Sequence, residues 1–488
     1  MTLKKFLLRS GISLSLIASL SQTSYSTGAG ELLNQVGSSV SALTSQIITT
    51  LSTADIASLS TAVVANFNAS QFSNLTSSQL GTFTTEQIAA LTSIQVGALG
   101  TGSKGLTSAH AVAFPTAAAS MSRIPTAGIT GLSTAFLANF STAGLTALTP
   151  GQIAAFTTTQ LAAFTTAQFA ALTTDQIPGL ATSQISAITT TQMAAITVAQ
   201  LNAFINIQMP GFSAAQLNAV PTNIMSALTS EQVGDIPLSV LSNISTNNIA
   251  SLGTNLVENS SFQQRNALTS AQVSALATAM SALTTNVSHL TTANVAGLTT
   301  AAMAAIATDV GSFSTALVQA LSSAQLTALT TNIRSFGSNL SVIPTAALTA
   351  LVGSNLGTAV THLTTSQIAA LSSTQVSSLD TIMTTLSASQ LPALTSSNAA
   401  GLTSDAVVAL SSSNAKLKSI AASAIPGISF AGLADVDITT GLFGIGTGLT
   451  PAQAKALTST QFSIISTALG GTPSDLGIAF NAWAALAT

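Results

Sequence analysis

Cysteine is absent from this chain and charge is scarce: Lys and Arg number 10 and Asp and Glu 13, together 5% of 488 residues. Without cysteine there can be no disulfide framework, no thiolate metal site and no cysteine nucleophile. The absence is compatible with an oxidising or extracellular setting. Ten basic residues, with no cluster beyond the first nine positions, cannot supply the cationic footprint that binding to a phosphate backbone needs, which excludes nucleic acid as a partner. Aromatics are 4% against 47% hydrophobic residues, so aliphatic side chains must supply most of the interior. Ordinary soluble domains carry about 25% charge, so this surface must be wetted by Thr, Ser, Gln and Asn instead. Beyond the first residues, apolar runs are broken every few positions by those same polar residues, which argues against a membrane span.

Catalytic constellations are missing as well. His110, His289 and His362 sit far apart, without acidic or histidine neighbours at ligand spacing. No G-x-S-x-G elbow or Ser-x-x-Lys pair comes with a base, and the glycine string from Gly441 lacks dinucleotide spacing. Asp435 and Asp437 are the weak candidates for a hard cation such as calcium, with no third carboxylate beside them. No catalytic residue, metal site or cofactor is expected, and the chain reads as a non-enzyme.

What is there is a repeat. From Thr149 to Val220 the sequence falls into nine consecutive octads such as TPGQIAAF, TTTQLAAF and TTAQFAAL. Position 1 is usually Thr or Ser, position 4 is Gln, positions 5 and 8 are large and apolar, and position 7 is Ala or Gly. Thr-x-x-Gln is the spacing of a capping box, in which the hydroxyl accepts from the Gln N–H and the Gln side chain reaches back to the Thr N–H. Apolar residues three apart share a helix face and violate the alternation of a strand. One continuous helix fails too, because eight residues at about 100° each rotate the stripe by about 80° per repeat. The helix must stop and restart every octad. Helices so short need their neighbours for stability, which predicts an all-α solenoid of tandem short helices with helical caps.

The prolines fit that scheme with exceptions. Pro115, Pro125, Pro221, Pro237 and Pro344 read as position 1 and Pro150 as position 2, where a missing N–H costs little. Pro178, Pro210 and Pro426 fall at position 6, each before Gly, and predict a single helical turn followed by a bend.

Residues 1–26, with Lys4 and Lys5 ahead of an apolar run and small residues after it, read as a signal peptide. Residues 27–51 place Leu32, Val36, Val40, Leu43, Ile47 and Leu51 at helical spacing and predict one amphipathic capping helix. The octad solenoid is expected over 52–428, with a glycine-rich break at 100–105, a polar insertion at 257–266, and mixed seven- and eight-residue units after Thr269. Residues 429–449 form an irregular Gly-rich segment. Residues 450–488 hold the last repeats and a C-terminal capping helix that includes Trp483.

Units such as LTTEQIAAL and LTTSQIAAL resemble the LTTxQIAAL-type tandem repeats of large exported bacterial surface and adhesin-like proteins, and the resemblance covers most of residues 52–465. The resemblance carries no catalytic residue over. The signal peptide and a low-charge, hydroxyl-coated solenoid without an active-site constellation lead to the expectation of a secreted structural or adhesive protein, a rod or fibre subunit at the bacterial cell surface, that self-associates or meets a host or cell-surface ligand. The alternative is a binding module whose regularly spaced Thr and Gln contact a periodic ligand such as a polysaccharide.

Overall fold

The computed structural model describes residues 29–43, 45–351, 353–413, 416–430 and 449–468. The expected signal peptide, most of the segment 429–449 with Asp435 and Asp437, and the expected C-terminal helix around Trp483 lie outside them. Among the described residues every regular element is an α- or 3₁₀-helix and no strand occurs. The chain divides into two compact units, the second beginning at Ser260, where the repeat pattern alone suggests one body over 52–428.

The octad 157–164 shows how the unit works. Thr157 is extended at φ −70°, ψ 160°, and caps the helix Thr158–Ala162. Its N–H donates to Gln160 Oε1 at 2.8 Å, and the Gln160 N–H donates to Thr157 Oγ1 at 3.2 Å, the reciprocal box expected from the spacing. Ala163 closes the helix, and the Phe164 N–H reaches the Leu161 carbonyl at 3.2 Å as the chain turns the corner. Leu161 and Phe164, at positions 5 and 8, are buried.

The same glutamine fixes the stacking. Its Nε2 donates to the Ile129 and Leu132 carbonyls at 2.8 and 2.7 Å, 31 and 28 residues back. Those are positions 5 and 8 of the fourth octad before, so four octads complete one turn of the coil. The separations recur at Gln71, Gln95, Gln152, Gln192 and Gln232, and Asn248 reproduces them. Helix ends leave carbonyls without intrahelical partners, and here the next coil turn supplies the donor. Position 7 is the expected place of close approach: a Cβ on Gly211 would meet the Thr182 carbonyl oxygen at 2.8 Å.

In the second unit the separations change while their difference of three persists. They are 30 and 27 at Gln325, 27 and 24 at Gln367, and 36 and 33 at Gln453. Shorter units change the count: 307–313 lies inside the Gln325 span, and the end of 337–343 with the short helices Gly353–Leu356 and Gly357–His362 inside the Gln367 span. The seven-residue units 330–336, 337–343 and 380–386 form 3₁₀-helices within Thr330–Val342 and Asp380–Thr385. Thr330, Gly337 and Asp380, which open them, have φ of 51°, 53° and 45°. A left-handed φ turns the corner that an octad turns with its extended position 1, and the tighter 3₁₀ winding carries the chain on with one residue fewer.

Several expectations need correction. Residues 27–51 are not one helix: the α-helices Ala29–Val36 and Ser45–Thr49 flank a 3₁₀-helix, Gly37–Ala42, and Gly37 at φ 55° breaks the run. Val40 and Leu43, then Ile48 and Leu51, are buried three apart, as positions 5 and 8 are, and Gln71 and Gln79 donate to their carbonyls. The repeats therefore start before Ser52. Only Ala29–Val36 acts as a cap, through Gly30 N–H to Asp55 Oδ1 at 3.0 Å and Asn34 Nδ2 to the Ser58 carbonyl at 2.9 Å. Nor is 100–105 a break. The 3₁₀-helix Thr101–Gly105 continues the stack, Ser103 is fully buried and donates to the Gly128 carbonyl, and a Cβ on Gly105 would meet the Ser77 oxygen at 1.9 Å.

Pro115 is not at position 1 either. The helix after it is Ala118–Met121, whose start Ala117 marks, so Pro115 and Thr116 are two added residues. Pro125, Pro221, Pro237 and Pro344 do cap helices, and in their octads position 4 is Gly128, Ile224, Val240 and Ala347. Proline has no N–H for a glutamine to accept from, so the two residues exclude each other. At position 6, Pro178, Pro210 and Pro426 lie in the 3₁₀-helices Ile177–Gly179, Asn206–Gly211 and Ala422–Gly427. Each lacks the N–H that an i→i−4 bond would need, and the unit tightens as expected.

Candidate functional site

Position-4 glutamines and position-1 hydroxyls are consumed by the coil. Gln160 is 4% exposed with its carbonyl oxygen and amide both engaged, and the other strap glutamines are buried likewise. A ligand cannot reach them, which removes Gln from the expected Thr and Gln contact face. The hydroxyls that face outward are at positions 2 and 3. Thr126, Thr158, Thr190 and Thr222 occupy position 2 of octads that follow one another at intervals of one coil turn, and all four are exposed. Stacked helices pack about 8–10 Å apart, so this column is a ladder of hydroxyls at that rise.

One corner of the first unit departs from the hydroxyl surface. Val198, Ile205 and Ile207 replace Thr, and Ile207 is 73% exposed. Ile205 and Ile207 border a shallow open groove between Asn206 and Glu231, whose side chains lie 3.5 Å apart, Nδ2 to Oε2. Glu231 is the only titratable group in that lining, so the groove holds no acid–base or nucleophile pair.

At the polar insertion, Arg265 takes position 5 of the octad 261–268, where an aliphatic side chain belongs. Its Nη1 donates to the Ser260 carbonyl, and burial pushes the guanidinium below its ordinary range. Arg265 Nε, Ser260 Oγ and Asn266 Oδ1 are buried without hydrogen-bond partners. A guanidinium in that place interrupts the core face and is a cost to the second unit rather than a binding device.

The histidines and acids are dispersed. His110 is buried at position 4 of the octad 107–114, His362 is exposed, and among the described residues no three His, Asp or Glu side chains approach as metal ligands. The candidates Asp435 and Asp437 lie outside the described residues. Among the described residues no helix is long and apolar enough to cross a membrane. The second role of the glutamine, as a strap between coil turns, was not anticipated. Its signal was present: a cap needs only an acceptor at position 4, whereas the octads repeat an amide, which also donates.

Residues 64–101 and 154–182 match the ALTTAQ repeat family. No curated protein matches the chain.

Proposed function

We propose that this chain is an exported, non-enzymatic structural or adhesive repeat protein, a rod or fibre subunit displayed at the bacterial cell surface. One observation carries the reading: in the repeats, the recurring polar groups are spent on architecture, with Thr157 and Gln160 holding both their own helix and the coil turn below. What remains at the surface is hydroxyl-rich and nearly uncharged, a composition that opposes self-association only weakly. The signal-peptide-like start supports export, and the absence of any catalytic grouping in the sequence supports a mechanical role. Negative-stain microscopy of the purified mature chain is the test: elongated particles or fibres are expected, and compact globular particles at every concentration would overturn the proposal.

A second reading is favoured by the Thr126, Thr158, Thr190 and Thr222 column. Regularly spaced hydroxyls suit a periodic polymer such as a polysaccharide. Replacing all four with Lys should abolish binding on a glycan array while leaving the helical circular dichroism intact. Unchanged binding would assign recognition elsewhere.

A further inference from the structure

We infer that His110 is a pH-sensitive latch: protonation of its Nδ1 turns an acceptor into a donor facing the Thr107 N–H, and so releases the helix Ser108–Ala113 in mildly acidic surroundings. His110 stands where the octads 84–91 and 92–99 carry Gln87 and Gln95, and it imitates both roles of that amide. The Thr107 N–H donates to Nδ1 at 3.1 Å, and Nε2 lies 2.8 Å from the Phe83 carbonyl in the preceding coil turn. An amide N–H can only donate and a carbonyl can only accept. The ring is therefore the neutral tautomer with its proton on Nε2.

A glutamine in this place has no titration; the histidine does. Protonation leaves the Nε2 bond intact and sets Nδ1–H against Thr107 N–H, so the return half of the capping box is lost. The ring is 4% exposed, and its surroundings offer the cation no compensation. The helix Ser108–Ala113 packs on Thr85–Ala89 and Thr134–Asn139. The first carries Glu86, which is exposed, the second carries no titratable group, and Lys104 on the preceding 3₁₀-helix is exposed and of like charge. Burial holds the imidazole below its ordinary range, opposed in part by the Phe83 carbonyl. With the folded form binding its proton less readily than the unfolded form, stability is complete above about pH 6.5 and falls as the pH drops below it.

Hydrogen exchange of the full chain at about pH 7.5 and about pH 5, after correction for intrinsic rates, tests the latch against His110→Gln, which restores the residue usual at this position. In the wild type the opening of residues 107–113 should increase by up to about tenfold per pH unit as the pH falls below about 6.5, the limit for one proton. In His110→Gln it should be flat. The exposed His362 is present in both proteins and cancels in the comparison. An equal response in the two proteins, or a ring that titrates by NMR while protection of 107–113 stays constant, would overturn the proposal.

Discussion

A carboxylate would serve the capping box at position 4 as well as an amide, yet from Gln71 onward the described octads with a polar residue there use one that bears a side-chain N–H, except 117–124, which has Ser120. Lys416 does so with Nζ, donating to the Thr384 and Leu386 carbonyls. Asp55, the acidic exception, has the N-terminal cap beneath it and accepts the Gly30 N–H. The distinction can be measured at Gln160. Gln160→Ala loses cap and strap together and should cost about 2–3 kcal/mol, from one unpaired N–H and one unpaired carbonyl. Gln160→Glu keeps the cap acceptor but turns a carboxylate toward the Ile129 and Leu132 carbonyls, and should cost more, about 3–5 kcal/mol, as an uncompensated buried charge does. Acid should return part of that loss by neutralising the carboxylate. Thermal unfolding of the three proteins ranks them, and a Gln160→Glu variant as stable as the parent would mean that capping is the whole role. The capping half of this residue was legible in the Thr-x-x-Gln spacing. The strap half was legible only as an amide donor that the cap leaves unused, because its acceptors lie 31 and 28 residues away and no local pattern names them.

At the scale of the element, the chain alternates two ways of turning a corner. Most octads use an extended first residue, usually with a capping hydroxyl, and then an α-helix; the seven-residue units 330–336, 337–343 and 380–386 use a left-handed first residue and then a 3₁₀-helix. The lengths were legible in the mixed spacing after Thr269, but the conformations were not, since Thr330 and Asp380 are not residues that announce a positive φ. Such a backbone costs a non-glycine residue on the order of 1–3 kcal/mol. Thr330→Gly should therefore stabilise the second unit by about 1 kcal/mol, and Gly337→Ala should destabilise it by about the same. The second change reads the backbone alone, because nothing lies within 4 Å of the added Cβ. Exchange protection across residues 330–343 reports both, and a loss of protection in Thr330→Gly would contradict the assigned strain. Amphipathic spacing misled at the N-terminus for a related reason. Leu32, Val36 and Val40 fit a helix on paper, but Gly37 at φ 55° ends it and transfers Val40 and Leu43 to the repeat register.

At the scale of the molecule, a coil of four octads per turn was half visible in the sequence. The IPGL and MPGF units, at 177–180 and 209–212, recur four octads apart, as stacked positions should. The turn could not be counted from composition because every octad presents the same two apolar residues, whichever neighbour they meet. Stability in such a stack is a sum over nearest neighbours, along the chain and across the turns. The octad 157–164 is strapped to 125–132 below through Gln160 and to 189–196 above through Gln192, whose Nε2 donates to the Leu161 and Phe164 carbonyls. Opening that octad should thus spread in both directions and decay with coil distance. In Gln160→Glu, native-state hydrogen exchange should accelerate most in 157–164 and then in its chain neighbours and the two strapped octads. It should be unchanged at 52–59, which shares no contact with any of them through a strap. Uniform acceleration across residues 29–259 would instead identify the first unit as a single cooperative body, held by its core as a whole rather than by the ladder of amides.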